Sequence, residues 1–146
     1  SMQAMHACSD APYNYKRLGA ERVEQGAYLW KTLWEDGVVV GNGTDVPVEK
    51  IDPLANLHCT VAREVPGTDT SFTEEETLTR RQALRSYTTK NAYAAFTEDV
   101  KGILAPGMLA DVAVLSENIL DGPADKIREA SVDYTIVGGT VAHPQN

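Results

Sequence analysis

The chain has 146 residues, a net charge of -8 and a sequence pI ≈ 4.8, and 42% of its residues are hydrophobic. That length holds about one domain, and the apolar share suffices for a packed core. The acidic balance excludes the basic stripe that a nucleic-acid partner requires, argues against anionic membranes, and otherwise serves solubility.

No apolar run approaches the ~20 residues that span a bilayer. The first residues lack the basic start and apolar stretch of a secretory signal, so the cytoplasm is the expected compartment. The chain opens on Ser1-Met2 rather than on an initiator methionine. That reads as a cloning scar or as the middle of a longer polypeptide. Cys8 and Cys59 match no zinc or redox spacing. Buried free thiols are their expected state, with a disulfide left open.

Residues 1–6 read as the end of a strand, and 8–16 as a loop carrying Asp10, Pro12 and Asn14. Over 19–36, Val23, Ala27, Trp30, Leu33 and Trp34 fall at helical spacing, and Gly37 stands where a C-cap glycine belongs. Val38-Val39-Val40 follows, a β-branched run suited to a parallel strand buried on both faces. It empties into a polar loop over 41–47. Asp52 then reads as an N-cap with Pro53 at the first helical position, and Leu54, Leu57 and Val61 form that helix's apolar face.

Residues 64–78 are polar and turn-rich, the pattern of a surface loop. Thr79 and Gln82 make a capping-box spacing for a helix carrying Ala83, Leu84 and Tyr87, and 91–96 continues helically after a break. Beyond Asp99 the pattern turns to β. A short strand and a Pro-Gly turn are expected over 101–107, a buried strand over 112–115, and one short helix over 123–130. A hairpin is expected from 132–137 and 140–143 around Gly138-Gly139.

On residues alone, few positions point to chemistry. Asp45 lies just past the end of a predicted parallel strand, where barrel enzymes collect their active sites. A carboxylate there can ligate a metal and take a proton from water, although an Asp in a Gly-rich loop is ordinarily a turn former. His6 follows a predicted strand end, and Asp10 either orients it or closes the strand. His58 and His143 have no second ligand at i+3 or i+4 and read as structural. Glu74-Glu75-Glu76 reads as a solvated cluster, and Trp30 and Trp34 as core. No phosphate loop and no Gly-x-Ser-x-Gly elbow is present.

Three segments taken in order resemble the amidohydrolase superfamily, specifically the YtcJ-like family-3 amidohydrolases. Gln3-Ala4-Met5-His6 with Ser9-Asp10 is similar to that family's strand-7 segment. Gly43-Thr44-Asp45-Val46-Pro47 is similar to its strand-8 segment. Lys101 through Asp111 is similar to its Gly-x-Leu-x-Pro-Gly-x-x-Ala-Asp signature. Stretches at Arg85-Ser86-Tyr87-Thr88, Asn91-Ala92-Tyr93-Ala94-Ala95-Phe96 and Thr135-Ile136-Val137-Gly138-Gly139 also look like it.

The resemblance implies an α/β fold: the C-terminal part of a (β/α)₈ barrel over 1–98, with strands 7 and 8 and their helices. Residues 99–146 would supply the closing strands of a small β-sandwich domain. It implies a metal-dependent hydrolase of C–N bonds other than peptide bonds, with a small-molecule substrate. Asp45 would ligate a divalent metal, often zinc, and act as general base, and His6 would contact substrate. The family's other metal ligands have no counterpart here. A catalytic zinc takes three protein ligands, so the chain alone is expected to be inactive and to hold no metal. It would contact the missing N-terminal part or self-associate through open strand edges. The alternative reading is a non-catalytic binding or self-associating module derived from the same fold.

Overall fold

Ala4, Ala7, Cys8 and Ala11 recur at the i, i+3, i+4, i+7 spacing of one helical face, and all four are buried. That face overrides the loop signals of Asp10, Pro12 and Asn14. The computed structural model, which describes residues 1–144, shows a single helix α1 (Ala4–Leu18) across the stretch expected to be strand end and loop. Pro12 sits inside it on the exposed side and costs it one backbone hydrogen bond. The small buried side chains let α1 lie closely against α4 (Pro53–Ala62).

The helix expected over 19–36 is two helices, α2 (Ala20–Gly26) and α3 (Trp30–Glu35). Tyr28 breaks them with a left-handed φ of 58°, a conformation no helix interior accommodates. Gly37 follows α3 with φ 80° and its N–H on the Trp34 carbonyl, as the C-cap reading expects. Val38 and Val39 are 46% and 39% exposed and only Val40 is buried, which corrects the strand buried on both faces. A strand of that kind needs partners on two sides. Here the segment meets one, through an isolated parallel bridge between Met2 and Asn42.

Helix α4 begins as read. The Asp52 side chain accepts from Leu54 N and Ala55 N, with Pro53 at the first position. It ends on Arg63 in the left-handed region. The stretch 64–78 is not a mere surface loop, since Phe72, Thr73, Glu76 and Leu78 are buried. They wrap the fully buried Arg63 guanidinium. Its Nε donates to Phe72 O at 2.7 Å, Nη1 to Tyr28 O at 3.1 Å and to Glu76 O at 3.3 Å, and Nη2 to Thr73 Oγ1. The same group stacks 4.8 Å from the Trp30 ring centroid. Glu76, read as solvated, instead accepts from Thr32 N and Oγ1 at 3.0 and 2.6 Å.

Thr79 and Gln82 close the capping box of α5 (Arg80–Tyr87), and α6 (Thr89–Ala94) follows. Over 101–107 no strand forms; the Pro106-Gly107 turn does, closed by Met108 N on Ala105 O at 3.1 Å. Three antiparallel strands then pair in the order β1 (Val112–Leu115), β2 (Val132–Val137), β3 (Thr140–Pro144), with α7 (Asp125–Glu129) between the first two. Strand β1 is half-exposed rather than buried. Gly138 and Gly139 turn the hairpin with positive φ. The last two residues of the expected 99–146 segment lie outside the described residues.

Two apolar clusters result. The first gathers Met2, α1, Val23, Trp30, Val40, Phe72 and Leu78. The second joins Leu57 and Ala83 to Ile119, Ile127 and Ala130, so α4 and α5 share a core with the chain around α7. Cys8 and Cys59, expected as thiols, form a buried disulfide between α1 and α4. Among the described residues no helix is long and apolar enough to cross a membrane.

Candidate active site at the Met2–Asn42 bridge

Two short backbone segments meet side by side. Met2 N donates to Gly41 O at 2.8 Å, and Gly43 N donates to Met2 O at 3.0 Å. Because the pairing is parallel, the residues following each segment emerge at the same end. His6 comes from the first turn of α1, and Asp45 from the turn after Gly43, which Val48 N closes on Asp45 O at 2.8 Å. His6 Nε2 and Asp45 Oδ2 stand 4.0 Å apart. The Asp45 side chain is 54% exposed and that of His6 is 23% exposed. His6 Nε2 itself is buried and has no hydrogen-bond partner. Asp45 holds a φ of 54°, a region Asp enters more readily than bulkier residues.

A buried amide scaffold fixes this corner. Asn42 Nδ2 donates to Thr60 Oγ1 at 3.0 Å, and Asn42 Oδ1 accepts from Asn56 Nδ2 at 3.2 Å. Asn56 Oδ1 accepts from Met5 N at 2.6 Å, and Asn56 Nδ2 also reaches Gly43 O at 2.6 Å and the Tyr87 hydroxyl. Asn91 Nδ2 donates to Asn42 O at 2.8 Å, while its Oδ1 accepts from Asn42 N. A Cβ on Gly41 would overlap Asn91 Oδ1, so any larger residue there would have to displace the Asn91 amide. Burial pushes the Tyr87 hydroxyl above its ordinary pKa, against a lowering by the Asn56 hydrogen bond.

Other residues of the first motif turn elsewhere. Asp10 does not orient His6; it accepts from the Tyr28 hydroxyl at 2.7 Å. Ser9 bonds Glu49 and Met5 O instead. For a metal, His6 Nε2 and Asp45 Oδ2 fit part of a shell: an orphaned imidazole nitrogen faces a carboxylate across a gap one cation could bridge. No group of three such donors forms around Asp45 among the described residues.

A second constellation escaped the sequence reading. His58, read as structural, lies with Nε2 3.4 Å from Asp125 Oδ1 and 3.7 Å from Glu64 Oε2. The i+3/i+4 rule missed it because Glu64 follows the left-handed end of α4, and Asp125 arrives from α7. Beside it opens a cavity of about 720 Å³ lined by Met5, Cys8, His58, Glu64 and Asp69, among others.

The amidohydrolase family model matches residues 1–143. The chain is 35% identical over 144 residues to Protein LONG AFTER FAR-RED 3 of Arabidopsis thaliana, covering 99% of this chain and 24% of that protein. It is 29% identical over 147 residues to "Putative amidohydrolase YtcJ" of Bacillus subtilis (strain 168), covering 99% and 28%. It is 27% identical over 113 residues to N-substituted formamide deformylase of Arthrobacter pascens, covering 77% and 21%. A crystal structure of an uncharacterized metal-dependent hydrolase from Pyrococcus horikoshii OT3 superposes with a TM-score of 0.72 at 28% identity. The match covers 85% of this chain and 25% of that one. The chain thus spans about a quarter of the length of these curated relatives. With a family model matched along nearly its whole length, the chain belongs to the amidohydrolase family, in its YtcJ-like branch.

Proposed function

We propose that this chain forms strands 7 and 8 of a (β/α)₈ barrel, over 1–98, and the closing strands of a small β domain, over 99–146. The whole hydrolase would cleave C–N bonds other than peptide bonds, in amides or cyclic amides. The observation that carries the reading is the 4.0 Å approach of His6 Nε2 to Asp45 Oδ2. Two parallel segments deliver both groups to one end, and that end is where barrel enzymes do their chemistry. The name of the Arthrobacter relative, a deformylase of N-substituted formamides, points to the same bond class.

In this reading Asp45 ligates a divalent metal, zinc by the family's habit, and His6 faces the substrate beside it. The cation, when bound, supplies charge that acidifies water and polarises a carbonyl. Asp45 Oδ2 takes the proton from the attacking water and returns it to the departing nitrogen. His6, whose side chain is partly exposed, contacts the substrate from beside Asp45. The Asn42–Asn56 scaffold holds both segments in register while this happens.

The test is Asp45→Asn in a polypeptide that also carries the upstream barrel strands, assayed on N-substituted formamides and ring amides. The expected loss in kcat is on the order of 10²–10⁴-fold, with the fold unchanged by circular dichroism. Activity that survives this substitution would remove Asp45 from the mechanism.

A second reading has its own observation. Phe96, Ile51 and Leu104 are 92%, 78% and 76% exposed, large apolar groups left uncovered in this chain. They suit a module that associates with itself or with further barrel strands. Light scattering of the 146-residue chain decides: a monodisperse monomer refutes self-association.

A further inference from the structure

We propose that His58, Glu64 and Asp125 form a second divalent-cation site of the zinc class, separate from Asp45 and joining α4 to α7. Two observations carry it. The first is geometric. One donor atom from each of the three residues lies within 4.8 Å of the others. Nε2 of His58 stands 3.4 Å from Asp125 Oδ1 and 3.7 Å from Glu64 Oε2. Tetrahedral zinc with bonds of about 2.0–2.1 Å sets its ligand atoms ~3.3 Å apart. The imidazole therefore already stands near the spacing from each carboxylate that one ion imposes.

The second observation is the state of the imidazole. Only 7% of the His58 side chain is exposed, and its Nε2 has no hydrogen-bond partner. A buried polar nitrogen left without a partner is costly, so it calls for a ligand. Two carboxylates and a nitrogen suit zinc, cobalt or nickel rather than magnesium or calcium, which take oxygen. Three protein donors leave an open coordination position, and all three residues line the adjoining cavity.

Arg128 holds the place meanwhile. Its Nη1 meets Glu64 Oε2 at 3.2 Å, and its Nη2 meets Asp125 Oδ1 at 2.6 Å. The side chain is half-exposed and can swing to solvent. A divalent cation exchanges for that single positive charge and recovers His58 as well.

The 146-residue chain, stripped with a chelator, is titrated with Co²⁺ by visible absorption and with Zn²⁺ by competition. One equivalent is expected to bind, with a rise in melting temperature that Mg²⁺ does not reproduce. Glu64→Gln and Asp125→Asn alter half-exposed side chains, so the fold is expected to survive, as far-UV circular dichroism would verify. Each is expected to weaken binding by at least the ~10–100-fold that outer-shell changes alone cost. Arg128→Ala is expected to tighten it, and Asp45→Asn to leave it unchanged. The proposal is overturned if no equivalent binds, if both carboxylate variants bind as the parent does, or if binding follows Asp45 instead. Because Asp45→Asn separates the two centres, failure here leaves the reading of the barrel site standing.

Discussion

Asn56 accepts the Met5 N–H at 2.6 Å with one end of its amide and gives the other to Gly43 O at 2.6 Å. It thereby ties the segment bearing His6 to the segment bearing Asp45. Asn56→Ala strips a partner from two backbone groups and from the Tyr87 hydroxyl. Unsatisfied buried groups cost about 1–3 kcal/mol each. With partial relaxation the expected loss is about 3 kcal/mol in urea unfolding, and an unchanged midpoint would show the scaffold to be redundant.

The Tyr28 hydroxyl has its pKa raised from 10.0 to about 12. Burial is the largest cause, then its hydrogen bond and repulsion with Asp10, with Asn14 and Arg63 opposing. The folded pKa lies above the unfolded one, so the folded state holds the proton longer. Its stabilisation is complete below about pH 10 and disappears as pH rises toward 12. Ultraviolet titration is expected to show one of the six tyrosines ionising last. Tyr28→Phe is expected to abolish that late step, and Asp10→Asn to move it earlier.

Arg63 is fully buried, and burial brings its guanidinium down to about 10, still cationic at neutral pH. Its fork serves three backbone carbonyls and Thr73 Oγ1 from one plane. A lysine ammonium is a point charge without that fork. Arg63→Lys is expected to lose about 3 kcal/mol of stability and to free the 64–78 segment to limited proteolysis. Resistance equal to the parent's would contradict this.

The disulfide between Cys8 and Cys59 closes a sequence separation of 51. Loop entropy for that length predicts a contribution of ~4 kcal/mol, and typical values run 2–4. Thiol titration of the unfolded chain is expected to find free cysteines only after reduction, and reduction is expected to lower the urea midpoint. Two titratable thiols before reduction would dismiss the bond.

What the sequence disclosed depended on how local each signal was. The cap at Asp52, the box at Thr79–Gln82 and the Gly138-Gly139 hairpin rest on neighbours within a few residues, and each formed as read. Helix α1 was hidden because its face is built of alanines and a cysteine, which carry little hydropathic contrast, while Pro12 mimicked a breaker. The exposure of Val38 and Val39 depends on which strands lie alongside, something their own sequence does not encode. At the candidate site, Asp45 and His6 were legible through motifs. The partners of His58 were not, since a left-handed residue and a distant helix bring them together.

The parallel bridge between Met2 and Asn42 has a kinetic consequence. Its two halves are separated by more than a quarter of the chain, with α1, α2 and α3 between them. The helices report on neighbours along the chain; the bridge forms only after that whole intervening stretch has folded back. Helicity measured by circular dichroism therefore reports on the helices, and only a probe placed on the His6–Asp45 corner would register whether the bridge has closed.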